Sequence, residues 1–145
     1  MHSVTQGGGA YPAIQQRIKG GQTAVSSGNV DWTILKTVGT TTVSPATVRT
    51  QSKVAQDESI VIIGHPSGLP RKYSASTAQF VGADDPEGGY QWAATITSFG
   101  GNSGSGVFSQ VNGEMVGIHV SGGTDFSTTD GSCRQIYVCA NTDIP

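Results

Sequence analysis

The feature that most constrains this chain is a succession of short β-branched and aromatic runs, each cut off by Gly, Pro, Ser, Asn or Asp, with no helical periodicity of useful length. The candidate strands are "AIQQRI", "WTILKT", "SIVIIG", "RKYSASTAQFVGA", "YQWAATI", "SGVFSQV", "EMVGIHV" and "QIYVC". An all-β fold follows, a barrel or a sandwich. "VNGE" at 111–114 and "PEGGY" at 86–90 read as hairpin breaks, and the Gly/Ser/Thr stretches around residues 20 to 30 and 121 to 132 read as loops. At 145 residues the chain is about one domain. Its one internal boundary falls at "TQSKVAQDES", dividing 1–50 from 51–145.

Charge narrows the function. Only 12% of the residues are charged and the net charge is −2, so the basic stripe of a nucleic-acid binder is absent. No apolar run reaches the ~18 residues of a membrane span, and "MHSVTQGGGAYP" has neither the basic nor the apolar region of a signal peptide. Cys133 and Cys139 in "CRQIYVC" have a spacing that permits a small disulfide loop without requiring one. No CxxC or second Cys/His cluster accompanies them, so neither a metal nor another cofactor is expected.

The chemistry concentrates in "FGGNSGSGVF", residues 99–108. A phosphate cradle would need Lys and Ser/Thr after the last Gly, but Val107 follows Gly106. A nucleophile elbow would need Gly two residues after the serine, where Ser105 stands, and a helix to follow. What remains is a tight loop entering a strand. Gly101 and Gly104 free the backbone on either side of Ser103, so that successive N–H groups can face one small concavity suited to a developing oxyanion. A serine becomes a nucleophile at neutral pH only with a base, and a histidine base needs an orienting carboxylate. The three histidines are His2, His65 and His119, and Asp31 leads the apolar strand in "NVDWTILK". His2, Asp31 and Ser103 make a His, Asp, Ser series; His65, between Gly64 and Pro66, reads as structural.

With these residues in view, the chain resembles the trypsin-like, chymotrypsin-fold serine peptidases, and within them the glutamyl endopeptidase branch. "MHSV" resembles the histidine block, "DWTILK" the aspartate strand, and "IVIIGHPSGLPRKYS" the opening of the second barrel. "GGNSGSGVF" with "GEMVGIHVSGG" resembles the serine and specificity-pocket blocks. The resemblance implies two six-stranded β-barrels. It also implies a nucleophile at Ser103, a base at His2, an orienting carboxylate at Asp31, and oxyanion donors at the N–H groups of Gly101 and Ser103. In that family the histidine follows strands of the first barrel, whereas here only Met1 precedes His2. The first barrel is therefore expected to be incomplete, and a second chain is one way to complete it.

The resemblance also places a substrate pocket. The position that selects basic residues in trypsin-type enzymes falls at Thr97, so a Lys/Arg preference is not expected. Thr97, Ser98 and His119 would wall the pocket, and Val120, Ser121 and Gly122 would pair with the substrate backbone. An imidazole with neighbouring hydroxyls can donate to a carboxylate, with charge assistance near pH 6 to 7. The expected activity is hydrolysis of a peptide or protein substrate after Glu, in a secreted enzyme. The competing expectation is an inactive homologue that binds peptides without cleaving them.

Overall fold

The computed structural model describes residues 14–25, 28–38, 42–84, 90–128 and 133–138. His2 and Cys139 lie outside them. All regular structure in the described residues is β, apart from one 3-10 turn at Pro66–Gly68. Strands β1 (Ile14–Val25) and β2 (Gly28–Thr37) form an antiparallel hairpin. Next come β3 (Ser59–Gly64), β4 (Lys72–Asp84), β5 (Tyr90–Ala94), β6 (Gly106–Ser109) and β7 (Met115–Ile118), an antiparallel sheet in the order β5-β4-β3-β6-β7. A short hairpin of β8 (Phe126–Thr128) and β9 (Arg134–Ile136) closes the series. The all-β class expected from the sequence is found, and the strands of the described residues do not close a barrel. The first part of the chain contributes one hairpin, and the second an open sheet whose edges are β5 and β7.

Two expectations about loops need correction. Residues 20–25 continue β1, and residues 28–30 open β2. Gly20 and Gly21 sit opposite Thr33 and Trp32, so strand pairing overrides the turn preference of the glycines. Residues 126–128 form β8, held by pairing with β9 rather than by an alternation of their own.

The core follows the period-two geometry of β3. "SIVIIG" is apolar almost throughout, yet Ile60 and Ile62 are buried while Ile63, pointing the other way, is exposed. Val107 of β6 joins them, with Trp92, Ala94, Ile96 and Val116 packed around the cluster. At the sheet edge, residues 47–49 lie along β7. Met115 N–H donates to the Thr47 carbonyl at 2.7 Å, and Arg49 N–H donates to the Met115 carbonyl at 3.0 Å. The Arg49 guanidinium then binds Glu58 in two-pronged fashion, at 2.7 and 2.9 Å, and donates to Glu114 at 3.1 Å. Hydrogen bonding to Arg49 is the main reason the Glu58 carboxyl titrates down at about 2, and its carboxylate raises the already high proton affinity of Arg49.

Candidate active site

The segment between β5 and β6 carries the candidate nucleophile, and its backbone is fixed bond by bond. Gly101 and Gly104 take φ of 93° and 81°, the freedom anticipated for them on either side of Ser103. Asn102 N–H donates to the Phe99 carbonyl at 3.1 Å, and Ser105 N–H to the Asn102 carbonyl at 2.9 Å. Gly104 N–H donates to the His119 carbonyl at 2.7 Å, while His119 N–H returns to the Ser105 carbonyl at 2.9 Å. These two bonds extend the β6–β7 ladder and lock the loop beside His119. Gly100 N–H donates to Asp125 Oδ2 at 2.7 Å.

Two donors are left over. From Gly100 to Ser105, the N–H groups of Gly101 and Ser103 have no acceptor among the described residues. Both residues are exposed, so water satisfies these groups at no burial cost. Ser103 Oγ donates to the Val120 carbonyl at 3.3 Å, a long contact.

Behind Ser103 lies a polar relay. Asn102 is only 4% exposed and donates from Nδ2 to Ser98 Oγ at 3.0 Å; Ser98 Oγ in turn lies 3.2 Å from His119 Nε2. Asn102 Oδ1 is buried without a hydrogen-bond partner among the described residues. Ser98, His119, Ser121, Gly122 and Asp125 line a cavity of about 120 Å³ that reaches Ser103. That is well below the roughly 300–1,000 Å³ of small-molecule pockets, and it suits a single side chain. A larger apolar groove of about 480 Å³, lined by Ile62, Leu69, Thr97, Phe126 and Ile136, does not include Ser103. The smaller cavity is the one with chemistry at its mouth.

Burial is the main influence on His119 and lowers its pKa below the ordinary 6.5, while the negative charge of Asp125 pulls the other way. The imidazole is thus neutral at pH 7, and the charge assistance expected near pH 6 to 7 is displaced to lower pH. His65 Nδ1 donates to the Leu69 carbonyl at 3.1 Å, in keeping with a structural part. No group of three or more His, Cys, Asp or Glu among the described residues could hold a metal ion.

Of the residues singled out from sequence, Ser98, Ser103, His119, Ser121 and Gly122 come together around one cavity. Val120 enters through its carbonyl, and Thr97 lies in the neighbouring groove instead. Asp31 is in β2 opposite Gln22, described by its backbone alone, and His2 is outside the described residues. Sequence reasoning missed Asp125. It reaches Gly100 across 25 residues of chain from a stretch read as loop, and no local pattern announces such a contact.

The trypsin-like peptidase domain matches over residues 2–118, from His2 to the end of β7. No curated protein matches the chain.

Proposed function

Because the chain belongs to the trypsin-like peptidase domain family, we propose that it is a serine endopeptidase that works through an acyl-enzyme and cleaves after Glu. The observation that carries the mechanism is that the N–H groups of Gly101 and of Ser103 itself are left without an acceptor among the described residues, in the loop that bears the Ser103 hydroxyl. Ser103 Oγ leaves the Val120 carbonyl, passes its proton to His2 and attacks the scissile carbonyl carbon. Negative charge moves to the carbonyl oxygen, where the two N–H groups receive it; one such donor is worth roughly 10²–10³ in rate. The protonated imidazole, steadied by Asp31, gives its proton to the leaving amine. Water then attacks the ester with the same base, releasing the acid and restoring Ser103.

The preference for Glu is supported by the pocket. Ser98 Oγ and His119 Nε2 lie 3.2 Å apart on one wall, a spacing at which each can meet one oxygen of an entering carboxylate. Asp125 shares the wall, but one of its oxygens is engaged by Gly100 N–H. A peptide library varied at the residue before the cleaved bond tests this. Cleavage after Glu, lost in Ser103→Ala, is expected; a Lys or Arg preference would mean that Asp125 rules the pocket. Binding without cleavage, unchanged in Ser103→Ala, would favour the peptide-binding homologue.

A further inference from the structure

Gly100 immediately precedes the Gly101 donor, and its peptide groups are held on both sides. Its N–H donates to Asp125 Oδ2 at 2.7 Å, and its carbonyl, part of the same peptide plane as the Gly101 N–H, accepts Ser67 N–H at 2.7 Å. Asp125 is itself well anchored. Its carbonyl accepts Tyr137 N–H at 2.9 Å, and the next residue, Phe126, packs its ring on Phe99 with centroids 5.6 Å apart. The Asp125–Gly100 bond thus lies between two chain segments already joined by a ring contact one residue away on each strand of chain. A Cβ on Gly100 would stand 3.3 Å from the same carboxylate oxygen, so the approach is close.

We propose that Asp125 is a positioning residue for the oxyanion loop, joining the side-chain pocket to the Gly101 donor through its bond to Gly100 N–H. It touches no reacting atom. It fixes the Phe99–Gly100 peptide, which adjoins at the Gly100 Cα the peptide that carries the Gly101 donor, and it does so from the wall of the pocket that receives the substrate side chain. Loss of this tie lets the donor wander, and a donor displaced by a fraction of an ångström weakens transition-state binding more than substrate binding. The proposal rests on the serine-peptidase reading of the site.

The test compares Asp125→Ala and Asp125→Asn with the unmodified chain. The Asn amide oxygen can still accept Gly100 N–H, and Ala cannot. In Asp125→Ala, kcat should fall ~10- to 100-fold at nearly constant KM, by the same factor for substrates with Glu, Gln or Leu before the cleaved bond, with most of the loss restored in Asp125→Asn. Amide hydrogen exchange supplies a readout that needs no turnover. Gly100 N–H should exchange slowly in the unmodified chain and in Asp125→Asn, and faster in Asp125→Ala, while the Ile62 amide stays protected in all three and shows that the fold is kept. Wild-type kcat in Asp125→Ala, unchanged Gly100 exchange, or an effect confined to Glu substrates would overturn the proposal. Failure of the underlying reading shows separately, as an unmodified chain whose Ser103 does not react with a fluorophosphonate; a slow Gly100 amide in such a chain would leave the bond in place and overturn its catalytic purpose.

Discussion

Ser67 N–H donates to the Gly100 carbonyl at 2.7 Å from a backbone with φ of 53°, a left-handed conformation uncommon outside glycine. The same nitrogen would lie 3.0 Å from a Cβ placed on Gly101. The 3-10 turn and the Gly100–Gly101 loop are therefore fitted to each other, backbone against backbone. Ser67→Gly suits the left-handed angle and keeps the N–H, whereas Ser67→Val keeps the N–H but strains the angle by ~1–2 kcal/mol. Peptidase assays should rank Gly above Val in kcat by about tenfold. Equal activities would show that the turn does not support the loop.

Gly101→Ala meets both obstacles at once, the φ of 93° and the Ser67 nitrogen. It is expected to cost ~2 kcal/mol or more in transition-state binding, read as kcat/KM. An alanine variant with full activity would contradict the assignment of this peptide to the oxyanion donors.

Much of this architecture is legible in the residues, and the reasons are physical. "SIVIIG" lies in a strand between two partners, so its own apolar pattern reports its place, and "GGNSGSGVF" carries its backbone demands in its glycines. Residues 20–25 read as a loop in sequence because two glycines favour a turn until a facing strand holds them. β8 is only three residues long and takes its conformation from β9. Asp125 and the Ser67 turn were illegible for a further reason: both act on Gly100 across tens of residues, and such contacts exist only once the sheet has brought the loops together.

The Arg49–Glu58 pair makes stability depend on acid. Glu58 titrates near 4.5 when unfolded and at about 2 when folded. Its contribution is therefore complete above pH 4.5 and is lost as the pH falls through about 2. Both side chains are nearly buried, at 11% and 12% exposure, so Glu58→Gln should cost about 2–3 kcal/mol at pH 7. Denaturant unfolding should show this difference narrowing toward pH 2. A constant difference across that range would place the pair's contribution elsewhere.

His119 supplies a pH test of the pocket. Its pKa lies below the ordinary 6.5, so the pocket histidine of the free enzyme gains its charge at more acid pH than a free imidazole does. The ratio of kcat/KM for Glu over Gln before the cleaved bond reports the free enzyme, and the catalytic base cancels from it. The ratio should rise on acidification with its midpoint below pH 6.5, and lose that rise in His119→Ala. A midpoint at or above pH 6.5 would show that burial does not hold the imidazole neutral.

Whether Ser103 is an activated nucleophile decides the proposed function. The most direct measurement is reaction of the chain with a fluorophosphonate, followed by mass spectrometric location of the adduct. A single phosphonyl group on Ser103, absent in Ser103→Ala together with a fall in turnover of up to ~10⁶-fold, is the expected result. An unlabelled Ser103, an adduct on another serine, or full turnover in Ser103→Ala would contradict it.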